Sequence, residues 1–139
     1  MTILDTNVIS EMTKPRPSAI VDSWMARQPA EELFTTSINE AEILVGIQLM
    51  PHGKRREALQ KTARAILYED LAGRILSFDS EAARIYAEIV IVRRRSGRPI
   101  DPPDAQIAAI SRSRGYALAT RNTADFSGCG IKLINPWAS

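Results

Sequence analysis

Oxygen-bearing side chains recur in this chain where they could act together. Asp5 follows the apolar run Thr2-Ile3-Leu4, and Glu42 lies in the segment after Leu33-Phe34-Thr35-Thr36. Asp104 follows Pro102-Pro103, and Arg121-Asn122-Thr123-Ala124-Asp125 follows Tyr116–Thr120. Carboxylates brought to one rim repel each other, which is costly unless a cation neutralises them. Hard divalent ions do this, and Mg²⁺ takes carboxylates plus waters in preference to a closed protein cage. An acid-only site holding Mg²⁺ suits phosphodiester hydrolysis: the ion lowers the pKa of a bound water, positions it in line and stabilises the leaving oxygen. Other chemistries are poorly supplied. His52 and Cys129 are too few and too scattered for zinc. No GxxxxGK[ST] or GxGxxG loop offers a nucleotide cradle. The single histidine sits in a Pro51-His52-Gly53 turn, which leaves a Ser-His-Asp arrangement unattractive.

Each acid also has an ordinary structural role open to it. Asp5 and Asn7 are natural turn formers at a strand end. Glu42 could be an exposed helix residue, and Asp104, like Asp101, a helix N-terminal acid. Asp125 could be a loop acid. None is specific alone, so the elements that would position them matter.

The apolar start Thr2–Leu4 reads as a strand that stops at the polar trio Asp5-Thr6-Asn7. A short helical piece around Val8 to Met12 ends at Lys14-Pro15-Arg16-Pro17. Ser18 reads as the cap of a helix with Ile20, Val21, Trp24 and Met25 as core, closed by Pro29. Leu33–Thr36 is a second strand. Ser37 with Glu40 makes a capping box for a helix running towards Met50, with Ile43, Leu44 and Ile47 as its stripe. An amphipathic helix covers Lys54 to Tyr68, and a third strand Ile75–Phe78. Asp79 or Ser80 caps a helix that ends in Arg93-Arg94-Arg95, Asp104 opens another that Gly115 stops, and strands follow at Tyr116–Thr120 and Ile131–Ile134. Strands alternating with helices predict a three-layer α/β/α domain with a mostly parallel central sheet of four to five strands. In such folds ligands sit beyond the carboxyl ends of the strands, where these acids fall.

The 139 residues fit one domain, 1–139, long enough to bury about two-thirds of the unfolded surface without a metal or disulfide staple. Hydrophobic residues at 45% and charged residues at 24% argue against disorder. A lone cysteine excludes an internal disulfide and fits a reducing compartment. No apolar run approaches roughly 18 residues, and the first strand begins at the initiator methionine. These features predict a soluble, cytoplasmic protein with no signal peptide and no membrane partner. The net charge of +2 permits a nucleic-acid partner without demanding one.

Four motifs in order resemble one known family across essentially the whole chain. They are Leu4-Asp5-Thr6-Asn7-Val8-Ile9-Ser10-Glu11, Ser37-Ile38-Asn39-Glu40-Ala41-Glu42-Ile43, Ile100-Asp101-Pro102-Pro103-Asp104-Ala105-Gln106-Ile107-Ala108-Ala109 and Ala119-Thr120-Arg121-Asn122-Thr123-Ala124-Asp125-Phe126. The chain closes on Asn135-Pro136-Trp137. The pattern resembles PIN-domain proteins of the VapC toxin type, in the FitB-like branch. The resemblance implies a Mg²⁺- or Mn²⁺-dependent endoribonuclease, the toxin of a type II toxin–antitoxin pair, neutralised by a small VapB-like antitoxin. It implies a homodimer, a higher toxin–antitoxin assembly, and DNA contact only through the antitoxin.

Carried onto this chain, the resemblance makes Asp5, Glu42 and Asp104 metal-site acids. Asp5 and Asp104 would hold the ion, and Glu42 would complete its shell or steer the attacking water. The fourth position departs from the pattern, because Asn122 stands where some relatives have an aspartate after Thr-Arg, and Asp125 matches the Asp-Phe of others. Three carboxylates and one amide would hold a second metal weakly, which points to one-metal chemistry. Thr6 and Thr120 stand where they would orient carboxylates or water, and Arg121 where it would contact substrate. Two basic clusters, Lys54-Arg55-Arg56 with Lys61 and Arg64, and Arg93-Arg94-Arg95 with Arg98, read either as solvated helix surface or as contacts to RNA phosphates. On the Lys54–Tyr68 helix, Leu59, Ala63, Ile66 and Leu67 read as core. In the resembled family such helices also help form an antitoxin groove and a dimer contact. Two rivals were weighed. One is an inactive domain of this kind that only binds its partner in an operator-binding repressor. The other is a phosphorelay receiver, which would want paired acids near the first strand and a lysine after the last.

Overall fold

The computed structural model describes residues 1–138; Ser139, the last residue of the expected domain, lies outside the described residues. Five strands, β1 (Thr2–Leu4), β2 (Leu33–Thr36), β3 (Ile75–Leu76), β4 (Ala117–Ala119) and β5 (Leu133–Ile134), pair in the order β3-β2-β1-β4-β5, all parallel. Six helices connect them: α1 (Thr6–Met12), α2 (Ala19–Ala26), α3 (Ser37–Gln48), α4 (Lys54–Ala65), α5 (Ser80–Arg95) and α6 (Pro102–Arg114). From β1 the chain builds the sheet outward through β2 and β3, then returns to β1's other edge for β4 and β5. The sheet therefore reverses direction at β1, and a crevice opens beyond the carboxyl ends of β1 and β4.

Side chains alternate across the pleat, so each central strand serves two cores. Ile3 and Leu118 face a cluster made with Ala82 and Ile89 of α5 and Ala105, Ile107, Ala108 and Ile110 of α6. Leu4 and Ala119 face the opposite cluster, with Val8 and Ile9 of α1, Trp24 of α2, Ile43 and Ile47 of α3 and Ala63 of α4. The three-layer architecture expected from the sequence is therefore the observed one. Among the described residues, no helix is long and apolar enough to cross a membrane.

Several element boundaries differ from expectation, each for a physical reason. The cap of α3 is Thr36, whose hydroxyl accepts from the Asn39 N–H at 3.2 Å; Ser37 is already helical, and Glu40 instead accepts the Tyr68 hydroxyl at 2.7 Å. α6 starts at Pro102, two residues before Asp104, because a first-turn proline needs no N–H partner. It stops at Gly115, whose φ of 70° is a left-handed cap that a side chain would strain. α4 ends at Ala65 and widens into a π turn over Ile66–Asp70, which brings both Leu67 and Leu71 into the core. β3 is two residues long because its partner β2 ends at Thr36, opposite Leu76. Ile20, expected in the core of α2, is 48% exposed.

Arg93 overturns the reading of Arg93-Arg94-Arg95 as one surface patch. It is 7% exposed, and its guanidinium donates to the carbonyls of Arg98 (2.7 Å), Asp125 (2.9 Å) and Ser127 (3.0 Å), against the Cys129 sulfur at 3.7 Å. It ties the end of α5 to the loop that carries Asp125. Glu11 is a second buried charge. Its carboxylate accepts from the Ser18 N–H and the Lys14 ammonium, each at 3.0 Å, and the Ser18 bond foremost holds its pKa below the ordinary carboxylate value.

Two predictions follow from these buried charges. Replacing Arg93 with alanine leaves three carbonyls without their donor and lowers unfolding stability by about 3 kcal/mol in urea titration. Arg94→Ala, on the exposed face, stays within about 0.5 kcal/mol. A lowered folded-state pKa stabilises above the unfolded carboxylate value and is lost on acidification. Glu11→Gln should therefore lower the denaturation midpoint at pH 7, and the gap to the parent protein should close below about pH 4.

Candidate functional site

Asp5 is the first residue past β1, its own N–H bonded to the Ala119 carbonyl at 2.9 Å, so the two strand ends hold it at the crevice. It is a 6% exposed carboxylate, and every hydrogen bond around it comes from a different element. Oδ1 accepts from the Thr6 N–H of α1 (2.9 Å) and from Asn39 Nδ2 of α3 (2.9 Å), and Oδ2 from the Thr120 hydroxyl after β4 (2.7 Å). A carboxylate offers about four acceptor positions. Three are filled, so Asp5 is fixed in one orientation with its remaining capacity on Oδ2.

The supporting hydroxyls are themselves oriented. Thr6 donates to Glu42 Oε1 at 2.8 Å and accepts from Asn39 Nδ2 at 3.0 Å. Asn39 is wholly buried, and its Oδ1 accepts the Thr36 hydroxyl at 2.7 Å, which fixes the amide's orientation. Thr120, committed as donor to Asp5, accepts from Asn7 Nδ2 (3.3 Å) and from the Asn122 N–H (3.1 Å). Among the described residues no buried side-chain polar atom lacks a partner.

Asp104, on the first turn of α6, completes the acidic group. Its carboxyl is pushed up from 3.8 to about 6, first by burial and then by the charges of Asp5, Asp125, Glu42 and Asp101. Asp5, Glu42 and Asp104 therefore share one electrostatic neighbourhood, which the charge of Asp125 also enters. The Asn122 N–H donates to the Thr120 hydroxyl, which in turn bonds Asp5.

The donor set is oxygen only, the kind that hard divalent cations take. Among the described residues no three acid, histidine or cysteine side chains stand close enough to enclose an ion. Mg²⁺ does not require that, since it keeps several waters and uses one or two carboxylates directly. Repulsion also spreads carboxylates that no cation draws together.

The basic side chains expected to contact substrate have these neighbours within the chain. Arg121 turns its guanidinium over the Trp137 ring, 5.0 Å from the centroid. Arg56 folds back on Gln48 Oε1 (2.9 Å), and Arg64 lies over Tyr68 at 5.3 Å. Sequence reading missed Asn39 as a partner of Asp5. Its position three residues before Glu42 on one helix was the available signal, since residues three apart share a face.

Comparison with known proteins agrees with this fold. The family model "PIN domain" matches residues 2–128. The plasmid stability protein StbB of Pseudomonas syringae pv. tomato is 42% identical, with 99% of each chain covered. The VapC ribonuclease Y4jK of Sinorhizobium fredii is 41% identical over 99% of this chain and 98% of that one. Toxin FitB of Neisseria gonorrhoeae is 35% identical with 99% of each covered. The crystal structure of FitAcB from Neisseria gonorrhoeae superposes with a TM-score of 0.93 at 34% identity, covering both chains fully. With a β1-end aspartate locked between strand and helix, acids gathered beside it, and this likeness over the whole length, the chain belongs to the PIN-domain family, in its VapC and FitB branch.

Proposed function

We propose that this protein is a divalent-metal-dependent endoribonuclease, the toxin of a toxin–antitoxin pair. The observation that carries the reading is the pose of Asp5 at the end of β1, fixed by Thr6, Asn39 and Thr120, with Glu42 bonded to the same Thr6. A relative named as a VapC ribonuclease supports RNA as substrate, and one named as a toxin supports the biological role.

Asp5 and Asp104 would hold Mg²⁺ or Mn²⁺, which when bound supplies Lewis acidity and an activated water at the scissile phosphate. The chain's own groups do the rest. Thr6, Asn39 and Thr120 keep Asp5 in one pose, so its free lone pair on Oδ2 points to a fixed place. Glu42, exposed and held by the Thr6 hydroxyl on Oε1, keeps Oε2 open to orient a water or accept its proton. Asn122 or Asp125 would supply the fourth position: the Asn122 N–H donates to the Thr120 hydroxyl that bonds Asp5, and the charge of Asp125 helps to raise the Asp104 carboxyl.

For the antitoxin, an apolar groove of about 340 Å³ lined by Leu4, Ile9, Met12, Met25, Leu33 and Ile66 supports docking of an apolar segment. DNA contact would then come through that partner. Exposed Val45 on α3, Leu49 at its C-terminal cap, and Ile91 and Val92 on α5 support a homodimer. The inactive, partner-binding alternative is disfavoured, because Asp5, Glu42 and Asp104 are all present and gathered.

Purified protein should cleave a mixed RNA pool with Mg²⁺ or Mn²⁺ and not with chelator, and Asp5→Asn and Asp104→Asn should each lower the rate at least about a hundredfold while folding normally. Full activity in either variant, or in chelator, would overturn the assignment. A second prediction separates function from stability. A carboxyl whose pKa rises on folding costs stability progressively as the pH rises from its unfolded value of 3.8 to its folded value of about 6, and in full above that. Metal-free Asp104→Asn should therefore unfold at a higher temperature than the parent at pH 7. The gain is about 1 kcal/mol once solvent screening of this half-exposed group is allowed for. At pH 4 the two should coincide.

A further inference from the structure

Arg121 and Trp137 form a pair that the acidic site does not use. Arg121 directly follows Thr120, the residue that bonds Asp5, and its own N–H donates to Asn7 Oδ1 at 3.2 Å, so its backbone is fixed at the rim. Its guanidinium lies 5.0 Å from the Trp137 centroid, within cation–π range. Trp137 is anchored in turn: its N–H donates to Asn135 Oδ1 at 3.0 Å, and its side chain packs against the core cluster containing Leu4, Trp24 and Ala119.

The charge of Arg121 is positioned but not quenched. Among the described residues the ion pairs are Lys14–Glu11 and Arg112–Glu88, so Arg121 is in neither. Glu11 acts on it only at longer range, its carboxylate being bonded to Ser18 and Lys14. Arg121 gives an exposed positive flank to a site whose interior would repel phosphate.

We propose that Arg121 binds the phosphate of the nucleotide adjoining the scissile bond, and that Trp137 is a positioning residue that holds the guanidinium ready for it. The inference rests on the RNA-cleavage reading above. A planar guanidinium stacked on an indole loses little freedom when it engages a phosphate, which favours binding over a free arginine in solvent. An acidic protein segment offers Arg121 similar chemistry, but its neighbouring carboxylates would meet those of Asp5, Glu42 and Asp125. A phosphodiester chain can instead place its next phosphate between the acids when a cation is present.

The test is fluorescence anisotropy of a labelled single-stranded RNA of mixed sequence, in chelator so that binding is read without cleavage, over a range of salt. Arg121→Gln should weaken binding about tenfold and reduce the slope of log K against log salt by about 0.7, the value for one phosphate on a single strand. Trp137→Ala should weaken binding less, about threefold, and add nothing to the Arg121→Gln variant, as coupled residues do. Trp137→Tyr, which keeps a ring under the guanidinium, should restore the parent affinity. Circular dichroism and urea midpoints check that each variant folds. An unchanged slope in the exposed-site variant Arg121→Gln, or additive losses in the double variant, would overturn the subsite while leaving the nuclease reading intact. Loss of affinity for an acidic peptide with RNA binding untouched would do the same. A parent protein that neither binds nor cleaves RNA would remove both.

Discussion

A charged carboxylate buried at the end of a central strand must be satisfied from every side, and Asp5 meets that demand by drawing on three elements at once. Its hydrogen bonds reach the start of α1 through Thr6, the first turn of α3 through Asn39 and the end of β4 through Thr120. The same contacts that lower the cost of burying the charge therefore set where those elements meet. Glu42 depends on this as well, because Thr6 passes the orientation of Asn39 on to Glu42 Oε1. Remove Asp5 and the crevice loses the group around which its walls are arranged.

Against that well-satisfied charge stands one that is not. Asp104 is half-buried among acids, and its ionised form is opposed by both burial and repulsion. The fold tolerates this because the framework around Asp104 is held by contacts other than its own carboxyl. Arg93 reaches across from the end of α5 and ties down the loop bearing Asp125 through three carbonyls. α6 presents a nearly all-buried run of small and branched residues, Ala105, Ile107, Ala108, Ala109 and Ile110, to the sheet and α5. Dispersion and apolar burial hold that helix, so its first turn can carry an unfavourable charge. Such strain is common at sites whose stability is exchanged for function.

The cations of the chain have divided roles that charge counting merges. Arg93 is a structural donor inside the fold, Arg56 closes the α3–α4 turn through Gln48, and Arg121 lies stacked on Trp137 at the rim. A net charge of +2 thus says little about where a phosphate would be received. What decides it is which guanidinium is exposed, fixed and not paired with a carboxylate.

The alternation of strand and helix and the acids after the strands were legible from residue type and spacing. Each is a local rule: a pleat has period two, a helix 3.6, and polar residues follow a strand where the chain leaves the core. Asp5, Glu42 and Asp104 could be picked out because acids after parallel strands fall at one end of the sheet. What the order of residues could not reveal was partnership across long separations. Asn39 bonds Asp5 over 34 positions and Thr120 bonds it over 115, and neither distance in sequence carries a periodic signal. Three adjacent arginines looked alike in sequence, yet the facing of α5 buries Arg93 and leaves Arg94 and Arg95 in solvent. Chain chemistry alone determined the layers and the candidate acids. Only tertiary packing decided which charges are satisfied, which are opposed and which stay available, because desolvation and hydrogen bonding depend on what lies against a group in space.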